Sequence, residues 1–108
     1  MPATLTEKEF SQHVNSKYRV NVDNAEPIEL ELVEVKEKDN LPGEQEGLER
    51  FSIYFIGPEN ICLPQATYRL THERMGDFDL FLVPIAKDKL GFRYEAIFNY
   101  YKKPMTAD

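Results

Sequence analysis

The side chains able to do acid–base, nucleophilic or metal chemistry are few: two histidines, His13 and His72, and one cysteine, Cys62. No two of the three have metal-ligand spacing, so a zinc centre would need them to converge from distant parts of the chain. His72 is followed by Glu73, Arg74 and Asp77, a set that on paper could shuttle a proton. The same residue types, with Gly76 supplying a positive φ, also make a hairpin connection, and that is how the HERMGD stretch is read. Cys62 sits between Ile61 and Leu63 with no base beside it. It is expected to be a small buried or half-buried hydrophobe rather than a nucleophile. Neither a P-loop, a nucleophile elbow nor a dinucleotide fingerprint is present. The sequence therefore assigns no catalytic residue, no metal ligand and no cofactor, and the expectation is that the protein is not an enzyme.

A second set of polar residues could hold a ligand. Arg69 and Arg93 alternate with aromatic residues in YRL and FRYE, where a guanidinium can stack on a ring and grip a carboxylate. The ordinary partner is Glu95 or an acid on a neighbouring strand, giving a cross-strand ion pair. The alternative is a small-molecule-binding barrel lined by Tyr54, Tyr68 and Tyr94, with Arg69, His72 and Arg93 as polar handles. A domain this small usually fills its interior with side chains, which places that alternative second.

The elements that must position these residues follow from periodicity. A chain of 108 residues is expected to form one domain around one core. Thr6 and Glu9 have capping-box spacing, and Leu5 with Phe10 fits the flanking staple, predicting a short helix to about Val14. Its stripe of Leu5, Phe10 and Val14 is narrow, enough to lid one end of a core but not to cover a sheet. From Tyr18 onward the period is two: Tyr18, Val20 and Val22 form a half-buried strand that ends in the turn DNAEP. Ile28, Leu30 and Leu32 share one face, yet Val33 and Val35 continue in the opposite parity, so a bulge is placed at Leu32 and Val33. KDNLPGEQEGL is a polar loop with Pro42-Gly43 at its turn. FSIYFIG, ATYRLTH, FDLFLVPI and GFRYEAIFNYY are further strands, and KKPMTAD, residues 102–108, is a loose tail. The fold class is all-β: a small antiparallel barrel or sandwich of six to seven strands with one N-terminal helix.

Composition bounds the partners. Thirteen Lys and Arg against nineteen Asp and Glu leave a net charge of -6, the wrong sign for a phosphate backbone, so no nucleic-acid partner is expected. With 30% charged residues and no long apolar run, no membrane span is expected either. The opening MPATLTEKEF lacks the basic and apolar segments of a secretory signal, and one cysteine cannot form an internal disulfide; the expected compartment is the cytoplasm.

Two strands carry apolar residues on both faces. Beyond the core parity, the third has Tyr54 and Ile56 and the fifth has Phe81 and Val83. Removing a Phe or Ile side chain from water stabilises by about 1.5 to 3 kcal/mol, so something is expected to cover them. The helix, a loop or a crossing between two sheets would serve. The narrow helical stripe favours instead a protein partner or an identical copy, docking on Tyr54, Ile56, Phe81 and Val83. Pro84 is expected to mark where the fifth strand leaves the ladder.

The stretch LPQATYRLTHERMGDFDLFLVPI, with YEAIFN beyond it, resembles a family of short bacterial domains of unknown function. Its pattern is a T-Y-x-L-x-H strand, a glycine turn, an F-x-L-F-L-V-P-I strand and a Y-E-A-x-F-N strand, matched here over roughly residues 50 to 100. The N-terminal half shares only L-x-L-x-x-V. His72, Glu95 and Asn99 fall on motif positions without a role attached. The resemblance implies a small all-β fold and, because members are sometimes encoded near phage-tail-like collar proteins, a part in an assembly.

Overall fold

The computed structural model describes residues 5–22, 26–37 and 48–101. A five-residue helix, α1 (Glu7–Ser11), precedes six strands: β1 (Lys17–Asn21), β2 (Ile28–Glu37), β3 (Leu48–Gly57), β4 (Ala66–His72), β5 (Gly76–Asp88) and β6 (Gly91–Tyr101). The strands form one antiparallel sheet in the order β1-β2-β3-β6-β5-β4, and β4 returns to pair with β1, so the sheet closes on itself. The chain thus makes two meanders, β1-β2-β3 and β4-β5-β6, joined along two seams. The β3–β6 seam runs from Leu48↔Tyr101 to Gly57↔Phe92. The β1–β4 seam is short, from Arg19↔Thr71 to Asn21↔Arg69.

Alternation along each strand sends one set of side chains inward. Tyr18 and Val20, Leu30 and Leu32, Phe51, Ile53 and Phe55, Leu70, Phe78, Leu80 and Leu82, and Tyr94 and Ala96 are all buried. They fill the interior. The register shift between Leu32 and Glu34 is the bulge that the parity change in LELVEV requires, and beside it Leu32 exchanges backbone hydrogen bonds with Asn15 and Ser16. Thr6 caps α1 by accepting a hydrogen bond from the Glu9 N–H at 3.1 Å. A helix this short is not stable alone. It is held by Phe10, which is fully buried and meets the rings of Phe98, Phe78, Phe51 and Tyr18 at 5.5, 6.0, 6.3 and 6.4 Å. Phe10 thereby lids one end of the closed sheet.

β5 divides its pairing. Ala66↔Leu82 to His72↔Gly76 join its first half to β4, and Val83↔Glu95 to Asp88↔Gly91 join its second half to β6. Pro84 corrects the sequence reading in one respect. The strand does not end there but continues to Asp88, with a register shift between Pro84 and Ala86. A bulge tolerates a residue that has no N–H to donate, so pairing with β6 survives. Gly76 has the positive φ expected of it, 81°. Residues 23–25 of the DNAEP turn, residues 38–47 of the KDNLPGEQEGL loop and the tail at 102–108 lie outside the described residues.

Candidate functional site

The outward side of β3, β6 and β5 carries the residues with the second apolar parity. Register places Glu34, Tyr54, Glu95 and Val83 in one row across β2, β3, β6 and β5. Tyr54 donates its hydroxyl hydrogen to Glu95 Oε2 at 3.1 Å. The Arg93 guanidinium lies 5.9 Å from the Tyr54 ring centroid and pairs with Glu34 at 3.6 Å and Asp88 at 4.0 Å. Partial burial and the Glu95 carboxylate both push the Tyr54 phenol above its ordinary value. Tyr54 is thus half-buried among its own chain's polar groups, and Ile56, which stands opposite Glu31 and Arg93 in register, is half-buried as well. Val83 is half-buried too. Phe81 and Ile97, each two residues from the Val83↔Glu95 pair, are 49% and 61% exposed. Opposite Ile97 stands Ser52, wholly buried with no hydrogen-bond partner for its Oγ.

The second place where reactive side chains meet is the lidded end. His72, buried at the end of β4, accepts the backbone N–H groups of Arg74 and Met75 on Nδ1 at 3.0 and 3.1 Å. An atom accepting two N–H bonds carries no proton, so the neutral ring holds its proton on Nε2. Nε2 lies 2.9 Å from Ser16 Oγ and therefore donates to it, while Ser16 Oγ donates onward to the His13 carbonyl. The His13 ring lies 4.8 Å from that of His72, and the Tyr18 ring 4.3 Å from it. Tyr18 donates to Met75 Sδ at 3.2 Å. Burial holds His72 below its ordinary pKa, the nearby His13 and Arg74 lower it further, and Glu73 works the other way. A serine next to a histidine looks like a nucleophile and its base. Here the imidazole nitrogen facing the hydroxyl already bears the hydrogen, so it cannot take one from Ser16.

The residues of the pocket alternative do not converge. Tyr94 is buried inside the sheet and its hydroxyl accepts the Leu63 N–H at 2.8 Å. Desolvation pushes its phenol up. Tyr68 donates to the Pro64 carbonyl, Arg69 pairs with Asp79 across the β4–β5 ladder at 3.2 Å, and Arg93 serves the outer lattice. Both expected cross-strand ion pairs are therefore present. Tyr68 and Arg69 do line an open cleft of about 320 Å³ with Asn21, Val22 and Thr67. Another, of about 370 Å³, runs past Lys17, Arg19, Glu29 and Thr71. Both follow the short β1–β4 seam, and their volumes sit at the low end of the roughly 300–1,000 Å³ of ligand sites. Cys62 corrects the sequence reading: it is exposed. The Tyr94 hydroxyl anchors the Leu63 backbone, so Leu63 takes the one inward position of Ile61-Cys62-Leu63 and leaves its neighbours outside.

Sequence reasoning missed Ile97, a single apolar residue on a polar parity. It also missed that His13 and His72 come together, because only closure of the sheet unites residues so far apart. Among the described residues no group of three or more His, Cys, Asp or Glu is placed to hold a metal ion, and no helix is long and apolar enough to cross a membrane. Residues 5–98 match the model of a family described as a domain of unknown function, DUF6916. No curated protein and no solved structure matches the chain.

Proposed function

The chain belongs to this family of domains of unknown function, and on that premise we propose that it is a non-enzymatic protein-interaction module that docks through the outer face of β5 and β6. The observation that carries this reading is the exposure of Phe81 and Ile97 on neighbouring strands. Large apolar side chains left in water on adjacent strands are costly unless a partner covers them. Val83 extends the apolar centre, and Tyr54 and Ile56 form its margin beside Arg93. The lattice of Arg93, Glu34, Glu95 and Asp88 supplies a polar rim, the usual surround of an apolar contact. The proton on His72 Nε2 supports a non-catalytic role, since the nearest hydroxyl has no base. The setting that fits is the bacterial cytoplasm, with a phage-tail-like assembly as the context the sequence resemblance implies. Either a different protein or a second copy would complete the burial.

The test is size-exclusion chromatography with light scattering, together with pull-down from the source cell, on the wild type and on a Phe81→Ser, Ile97→Ser double variant. The wild type is expected to run as a dimer or larger, or to retain a partner that the double variant loses while melting normally. A monomer that retains nothing would shift weight to the small-molecule reading, for which the open cleft beside Tyr68 and Arg69 is the starting point. A thermal-shift screen addresses that reading, because a ligand that binds only the folded form raises the melting temperature.

A further inference from the structure

We propose that the hydrogen-bonded chain from the β4–β5 turn through His72 and Ser16 to the His13 carbonyl is an acid-sensitive latch, which holds α1 over the end of the sheet when His72 is neutral and loosens it when His72 is protonated. The geometry requires the neutral ring. Nδ1 accepts two backbone N–H groups, and a proton placed there would turn the acceptor into a donor facing two donors. The turn at Glu73–Met75 must then move, and the Nε2 bond to Ser16 moves with it. Ser16 is the link to the helix: its hydroxyl and its N–H both donate to the His13 carbonyl, and the His13 N–H donates to the Phe10 carbonyl at 2.9 Å. Phe10 is the lid itself. With five residues, α1 depends on such tertiary ties for its persistence.

The charged and titratable groups around His72 come from each element packed on it. His13 approaches from the exit of α1, Tyr18 from β1, and Glu73 and Arg74 from the turn. A positive charge on His72 meets opposition from His13 and Arg74 and support from Glu73. Since the folded pKa lies below the ordinary 6.5, the opened form binds the proton more readily. The latch is at full strength above the ordinary value and is lost as the pH falls towards the folded one. Every unit of depression corresponds to about a tenfold change in the opening equilibrium.

Two measurements test the latch. The ¹⁵N shifts of the histidine rings at neutral pH should show the Nε2–H tautomer for His72, and hydrogen exchange should follow the amides of α1 between about pH 7.5 and pH 5, corrected for intrinsic rates. In the wild type, protection at Phe10 and Ser11 should fall about tenfold for each unit that the pKa is lowered, with a midpoint that tracks the His72 titration. His72→Asn places an amide oxygen where Nδ1 was and keeps the turn acceptor without a titrating group; its α1 protection should not change with pH. Ser16→Ala cuts the link and leaves His72 titrating, so α1 should be loose at both pH values while the turn amides still respond. The proposal is overturned by an Nδ1–H tautomer, by α1 protection that ignores the His72 titration, or by the same acid response in His72→Asn.

Discussion

At the scale of single residues, the buried polar side chains among the described residues have hydrogen-bond partners with one exception. Tyr94, Tyr54 and His72 each reach a specific hydrogen-bond partner. Ser52 does not: it is buried against Ile97 with its Oγ unmatched, and a buried hydroxyl without a partner costs about 1–3 kcal/mol. Ser52→Ala is therefore expected to be neutral or to stabilise by up to about 1 kcal/mol in urea unfolding. A loss larger than that would mean the hydroxyl has a partner after all. Much at this scale was legible in the sequence. Thr6 and Glu9 announced the cap, and the arginines announced ion pairs, because both depend on near neighbours or on strand pairing of the ordinary kind. The Ser16–His72 bond was not legible. It links residues that lie 56 positions apart, and nothing local in either segment encodes the meeting.

At the scale of elements, the hairpin between β5 and β6 shows how a strand is re-aimed without being lost. The turn is closed by Gly91, whose φ is 141° and whose missing Cβ leaves room for the Gly57 carbonyl oxygen, which a methyl group would meet at 1.9 Å. Asp88 Oδ1 accepts the Leu90 N–H at 2.8 Å and shapes the same corner. Gly91→Ala is expected to cost more than about 2 kcal/mol, since both the backbone conformation and the close approach resist a side chain. Gly76→Ala, with a positive φ but open space around it, should cost less, about 1 kcal/mol. Equal losses in thermal melting would show that the contact with Gly57 is not the deciding factor. The bulge in β2 could be read from the parity slip in LELVEV. The one in β5 could not be placed from Pro84 alone, because a proline in a strand is compatible with an ending as well as with a bulge. The partial burial of Tyr54 and Ile56 was hidden for a different reason: it needs β2, β3 and β6 side by side, an order that no single strand specifies.

At the scale of the whole molecule, the two seams are unequal. β3 and β6 are zipped along their full lengths, whereas β1 and β4 meet only between Arg19 and Asn21. Both open clefts lie along this shorter seam. Local opening is expected to begin there, so the amides of Val20 and Leu70 should exchange faster than those of Ile53 and Tyr94 although all four side chains are buried. Uniform protection around the ring would contradict this. The all-β class was evident from alternation, but the ring order was not, since it depends on which strands meet after the chain has folded. The division into two three-stranded halves has a further effect. A single connection, residues 58–65, joins one half to the other. If that connection straightens, the first half of one chain can pair with the second half of another and reproduce both seams. Such reciprocal exchange would give an intertwined pair of molecules from a change in one hinge alone.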